Sequence, residues 1–269
     1  MLTLRAWKVI VIVYAWLCMI DSHKPSIYDN VTRYAEIADT ICDDCEWWEQ
    51  YADCGDEILE LGCGYGRVAL YLAARGCRVT GIDCSALMLD EARRRDQHSL
   101  VQWHCGDFTQ AHEWPQKPSS WDGIILPANT IAHIHQLHQL QQVWQIALSR
   151  LHPAGSILID TFAPTPNLCS PGASILLNYT HATDGQVYHL WEQHDYHPDT
   201  GIMTMEWQHR LHPDHPVPGQ MVALRVWSVA ELCESLQAAG CTVRHVAGDY
   251  TNKLYAPGDE LLLIHAVKQ

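Results

Sequence analysis

Glu57-Ile58-Leu59-Glu60-Leu61-Gly62-Cys63-Gly64-Tyr65-Gly66-Arg67 is the stretch whose reading decides the fold. Its first five residues read as a short apolar strand, and glycines follow at alternate positions. Glycine at such a turn lets the backbone double back and approach a ligand with no Cβ in the way. A helix is expected next over 68–75, with Gly76 where a helix-ending glycine belongs. A second strand over 78–82 ends at Asp83, and Ser85 can cap the following helix, 86–95.

The same alternation continues outward. Strands are expected over 100–104, 123–126 and 156–160, with a long helix over 134–151 ahead of the turn Pro153-Ala154-Gly155. Strands alternating with helices at this spacing predict a parallel sheet covered on both faces. The rhythm breaks in the Pro- and Gly-rich residues 163–173. Beyond them, strand-like runs at 174–178, 186–194 and 202–211, the last two joined by the turn Asp199-Thr200-Gly201, predict an antiparallel insertion. A helix over 228–239 and strands over 242–247 and 260–267 restore the α/β pattern. Aliphatic and aromatic residues at helical spacing from Val31 to Ile41 predict one or two helices over 28–51. The chain therefore divides into an apolar extension (1–22), N-terminal lid helices (23–54), a core (55–163 and 222–269) and the insertion (164–221), a candidate lid over an acceptor.

Composition bounds the partners. Hydrophobic residues make up 48% and charged residues 18%, a globular balance rather than a disordered one. With 17 Lys and Arg against 31 Asp and Glu, the net charge of −14 disfavours a nucleic-acid partner. The turn Leu126-Pro127-Ala128-Asn129 also lacks the order with which amino-group nucleic-acid methylases hold a flipped base. Eleven cysteines are irregularly spaced, and Cys42 and Cys45 lack a second close pair to complete a zinc site, so reduced thiols and no metal are expected. Among His133, His135 and His138, only the last two could share a helix face, which reads as a solvated face. Arg5 and Lys8 precede the apolar run from Val9 to Ile20, about 12 residues and too short to span a bilayer comfortably. An added helix or an upstream extension fits that run better than an export signal.

Three acidic residues stand at three successive strand ends. Glu60 lies two residues before Gly62, Asp83 lies 19 after Gly64, and Asp107 follows the third strand. A carboxylate at Glu60 would repel a pyrophosphate but accept from an ammonium. Arg67 occupies the final glycine position of the dinucleotide-binding pattern. Asp83 is placed to take a pair of ribose hydroxyls, and Asp107 to accept from an adenine amino group.

These residues resemble a family. The stretch 58–67 quoted above, Val79-Thr80-Gly81-Ile82-Asp83-Cys84-Ser85, Met88-Leu89 and Gly106-Asp107-Phe108 are similar to class I S-adenosylmethionine-dependent methyltransferases of the small-molecule type. The resemblance runs from Tyr28 to the C-terminus, taking in Arg225-Val226-Trp227-Ser228 and Gly248-Asp249-Tyr250. It implies an α/β, Rossmann-like three-layer sandwich. Its seven-stranded, mostly parallel sheet would run 3-2-1-4-5-7-6, the last strand antiparallel, with an antiparallel β insertion after strand 5.

It also implies S-adenosyl-L-methionine as cofactor. Gly62, Cys63, Gly64 and Gly66 would line its methionine moiety, with Glu60 near the amino group. Asp83 would hold the ribose, Cys84 and Met88 would pack the adenine, and Asp107 with Phe108 would read its edge. Leu126, Pro127 and Asn129 match the position facing the sulfonium, while Tyr28 and Tyr34 resemble lid-helix aromatics.

Such a transfer is an in-line displacement, so the protein mainly orients its reactants and excludes water. Tyr28, His133 and His135 are the candidate bases. Tyr188, Trp191, Tyr196 and Trp207 could cage a cationic amine, or they simply alternate on a half-buried strand. A small-molecule N or O acceptor, no stable membrane span and a cytoplasmic location are expected. The competing readings are an NAD(P)-binding oxidoreductase and a non-catalytic partner subunit.

Overall fold

The computed structural model describes residues 26–116, 120–182, 184–217 and 219–269. The apolar run 1–22 lies outside that description, as do the side chains at 26–30, 33, 40, 41 and 220.

The core sheet is built from β1 (Glu57–Leu61), β2 (Arg78–Asp83), β3 (Val101–Cys105), β4 (Trp121–Leu126), β5 (Leu151–Phe162), β10 (Cys241–Ala247) and β11 (Leu261–Lys268). Its order is β3-β2-β1-β4-β5-β11-β10. The first five strands are parallel, and β11 runs antiparallel to both β5 and β10. This is the order expected from the sequence, with four strands of the insertion counted in between.

The central strands are apolar on both faces because both are covered. Leu59, Leu61, Ile124, Leu126, Ile157 and Ile159 face one core, with Trp144 of α5 (Leu137–Arg150) and Leu232 and Leu236 of α6 (Val229–Ala239). Their alternates Ile58, Ile125 and Leu158 face the other, with Val68 and Leu72 of α3 (Arg67–Ala73) and the Trp47 and Trp48 rings of α2 (Cys45–Glu49). Ser85 caps α4 (Ala86–Arg95) by accepting from the Met88 amide at 3.3 Å. Ser228 and Glu231 close α6 with a reciprocal capping box. The helix expected from 134 starts at Leu137, because residues Thr130–His133 form a separate 3-10 turn.

The insertion is a second, four-stranded antiparallel sheet of β6 (Gly172–Thr180), β7 (Val187–His197), β8 (Ile202–Arg210) and β9 (Gln220–Arg225). The sequence pattern predicts an insertion ending at 221, with residues 222 onward in the core. The pairings Met205 with Val222 and Met203 with Leu224 extend the second sheet to Arg225 instead. Its inner face, with Leu190, Met203, Met205 and Val222, packs against Tyr34 and Ile37 of α1 (Ser26–Ile41), Tyr65 and Met88. The second sheet therefore sits over the glycine loop.

Candidate functional site

The loop leaving β1 holds its shape through glycine. Gly62, Gly64 and Gly66 have φ of 65°, 54° and 83°, in the left-handed region that side chains disfavour. At Gly66 a Cβ would also lie 2.3 Å from the Trp103 ring. The Cys63 amide donates to the Ile82 carbonyl at 3.0 Å, tying the loop to β2. Asp83 then fixes it further: one carboxylate oxygen accepts from the Gly64 amide and the other from the Ser85 amide, both at 2.8 Å.

Asp83 also opens onto a cavity of about 400 Å³. Gly62, Cys84, Asp107, Phe108 and Thr109 line it together with Thr130, His133, Ile134, His135 and Gln139. Val222 and Ala223 reach in from the second sheet. Asp107 is oriented by the Thr109 amide and hydroxyl, both 2.8 Å from the same carboxylate oxygen.

Of the residues singled out in the sequence, Gly62, Asp83, Cys84, Asp107, Phe108, His133 and His135 meet at this cavity. Cys63, Gly64 and Gly66 shape the loop behind it. Tyr34 and Met88 are buried in the cluster beneath the second sheet, where Tyr34 packs edge-on to Tyr65 at 5.2 Å. Leu126 is fully buried between strands. Asn129 is turned away from the cavity lining: its carboxamide oxygen accepts from the Phe162 amide at 2.6 Å and the Thr161 hydroxyl at 3.2 Å, pinning the exit of β4 to β5. The Tyr28 side chain lies outside the described residues. Thr109, Thr130, Ile134, Gln139, Val222 and Ala223 were not singled out. Thr130 follows β4, where position alone could have flagged it, whereas Val222 and Ala223 arrive through pairing with β8.

Glu60 is buried, and its Oε2 has no hydrogen-bond partner among the described residues. Burial pushes its carboxyl well above the usual range; Arg67 counters this and Asp44 reinforces it. Arg67 is itself committed to Asp44, whose Oδ2 also accepts from the Trp48 indole at 2.9 Å. Asp160 takes the Tyr250 hydroxyl at 2.9 Å and the Ala128 amide at 3.2 Å, and burial with Asp44 nearby pushes it up to about 7. A buried, unsatisfied carboxyl oxygen beside the glycine loop suits a ligand ammonium, as S-adenosylmethionine carries.

Burial, with His135 beside it, pushes His133 down to about 4, so it is a neutral imidazole at neutral pH and a weak base. Burial raises the Tyr34 hydroxyl far above its ordinary value. Cys42, Cys45, Cys54, Cys63, Cys77, Cys105, Cys169, Cys233 and Cys241 are free thiols, and Cys84 is disulfide-bonded, against the expectation of reduced thiols throughout. Among the described residues, no group of three or more His, Cys, Asp or Glu could hold a metal ion. No helix among them is long and apolar enough to cross a membrane.

Residues 58–155 match the family model described as a methyltransferase domain. The chain is 56% identical over 43 residues to an S-adenosyl-L-methionine-dependent Diels-Alderase of Talaromyces variabilis, covering 16% of this chain and 15% of that one. It is 31% identical over 119 residues to a malonyl-[acyl-carrier protein] O-methyltransferase of Salmonella typhimurium, covering 35% of this chain and 46% of that one. Among the first curated relatives, the matches thus span about half of their length or less. An S-adenosylmethionine-dependent methyltransferase structure from Clostridium acetobutylicum superposes with a TM-score of 0.71 at 15% identity, covering 88% of this chain and 98% of that one.

Proposed function

We propose that this chain, whose residues 58–155 form a class I S-adenosylmethionine-dependent methyltransferase domain of Rossmann-like fold, transfers the cofactor's methyl group to a small-molecule N or O acceptor. The observation that carries the reading is Asp83, which both holds the glycine loop and faces the cavity between core and second sheet. Its carboxylate, at the end of β2 and on the cavity wall, suits the ribose hydroxyls. Asp107 and Phe108, at the next strand end, suit the adenine edge, with Cys84 and Met88 packing the ring. Glu60 suits the ammonium, with Gly62, Cys63, Gly64 and Gly66 around the methionine and Tyr34, Leu126 and Asn129 supporting its far end. When bound, the cofactor supplies a methyl carbon already activated by its sulfonium.

The chain's own residues then orient and exclude water. The second sheet covers the acceptor side through Val222 and Ala223. His133 stands at the cavity wall as a neutral hydrogen-bonding group, and Tyr28 on α1 remains a candidate of the same kind. An acidic surface favours small neutral or cationic acceptors in the cytoplasm over nucleic acid. An NAD(P) reading is opposed by Glu60 and by Arg67, which is committed to Asp44 rather than available to a phosphate.

Thermal unfolding with S-adenosylhomocysteine and, separately, NADH tests the assignment. Stabilisation by S-adenosylhomocysteine alone is expected, reduced at least tenfold in affinity in Asp83→Ala, since charge-assisted hydrogen bonds contribute about 1.5–3 kcal/mol. An unchanged shift in that variant sinks the site assignment. Release of S-adenosylhomocysteine in an acceptor screen separates methyl transfer from a cofactor-binding protein that transfers nothing.

A further inference from the structure

Within the second sheet, Glu192 and His194 stand two apart on β7 and therefore point to the same face. Both are buried, with side chains 1% and 4% exposed. The Trp207 indole donates to Glu192 Oε2 at 3.2 Å, and Glu192 Oε1 lies 2.9 Å from His194 Nδ1. A carboxylate that already accepts at one oxygen accepts at the other, so Nδ1 is the donor to Glu192, and in that tautomer Nε2 presents a lone pair. That Nε2 is buried with no partner among the described residues.

Two further features bear on what this nitrogen is kept open for. A Cβ at Gly172 would lie 2.9 Å from Nε2, so any side chain there would cover the nitrogen. The backbone there is outside the left-handed region, so glycine serves space rather than conformation. Gly172, His194, Met205 and Val222 also form one row across the four strands, and Val222 lines the cavity at Asp83. Leu190, Met203 and Trp207, buried in the cluster shared with α1, make the surroundings of the pair apolar and polarisable, an environment in which an aromatic ring packs better than a charged group.

We propose that Glu192 and His194 form the polar anchor of the acceptor pocket, and that the acceptor is a hydroxylated aromatic compound whose O–H donates to His194 Nε2. The proposal rests on the methyltransferase reading above and narrows its acceptor class. Trp207 and Glu192 act as positioning residues that fix the imidazole's tautomer.

The test uses the full chain labelled with ¹⁵N-histidine, with the His194 signals assigned by their loss in His194→Gln, and phenol and anisole as probes. The Nδ1–H tautomer with a bare Nε2 is expected. Phenol should shift the Nε2 resonance, while anisole, which has no proton to donate, should not. Gly172→Ala should weaken the phenol response at least tenfold, and Glu192→Gln should scramble the tautomer. A proton on Nε2, equal responses to both probes, or no response to phenol overturns the proposal. Should Gly172→Ala fail to fold, the wild-type tautomer and the two probes still decide. Stabilisation by S-adenosylhomocysteine is measured in the same samples. If it is absent, the cofactor reading fails whatever His194 does; if it is present without a phenol response, only the anchor fails.

Discussion

Glu60 and Asp160 are buried acids whose protons report on different events. Burial raises the Glu60 carboxyl, so below its shifted pKa the free protein holds it neutral. A ligand ammonium favours the ionised form, so S-adenosylhomocysteine binding should release a proton and weaken as pH falls. Calorimetry in two buffers of different ionisation enthalpy should register that release. Glu60→Gln should abolish it and weaken binding roughly tenfold to a hundredfold, from about 1.5–3 kcal/mol for a charged hydrogen bond. Asp160 acts on folding itself. Its pKa is raised from 3.8 to about 7, so its contribution to stability is complete below about pH 4 and is lost as pH rises towards 7. Unfolding free energies from urea titrations, wild type minus Asp160→Asn, should fall over that window with a slope of up to about 1.4 kcal/mol per pH unit. A flat difference curve would show that Asp160 ionises normally. Asp83 and Asp107 were legible in the sequence because each follows a strand of the parallel sheet, where such carboxylates meet ligands. The role of Asn129 was not legible, because its backbone at φ 64° turns the carboxamide onto β5, which no local pattern encodes.

At the scale of elements, two glycines separate conformation from crowding. Gly240 ends α6 at φ 105° with open space where a Cβ would stand, whereas Gly66 at φ 83° meets the Trp103 ring at 2.3 Å. Gly240→Ala should cost only the left-handed backbone, about 1–2 kcal/mol. Gly66→Ala adds overpacking against β3 and should cost about 2–4 kcal/mol, read as chemical-denaturation midpoints. Equal costs would mean that the tryptophan gives way freely. The helix over 86–95 was readable to the residue because Ser85 caps it chemically. β9 was not, since Val222-Ala223-Leu224 is as apolar as a core strand and only its pairing with β8 assigns it to the second sheet. The Glu192 and His194 pair was hidden in the same way, inside a run whose aromatics dominate the pattern.

At the scale of the whole molecule, the cavity belongs to neither sheet alone. Gly62, Asp83 and Asp107 come from the carboxyl edge of the core, and Val222 and Ala223 come from β9. The inner face of the second sheet shares one apolar cluster with α1, Tyr65 and Met88, so closing the cavity and packing the sheet are a single event. A ligand in the cavity should then stabilise both parts together. Saturation with S-adenosylhomocysteine at a hundred times its dissociation constant should add about 2.7 kcal/mol to global stability. Amide hydrogen exchange should slow around the 62–66 loop and across β9 in the same titration. Slowing confined to the core would mean that the second sheet only shelters the site, and the acceptor pocket would then have to be sought on the α1 side. Slowing in both, with equal apparent affinity, would make the insertion part of the cofactor's own enclosure. Insertion variants that leave the fold intact, such as Val222→Ala, should then change cofactor affinity along with acceptor choice.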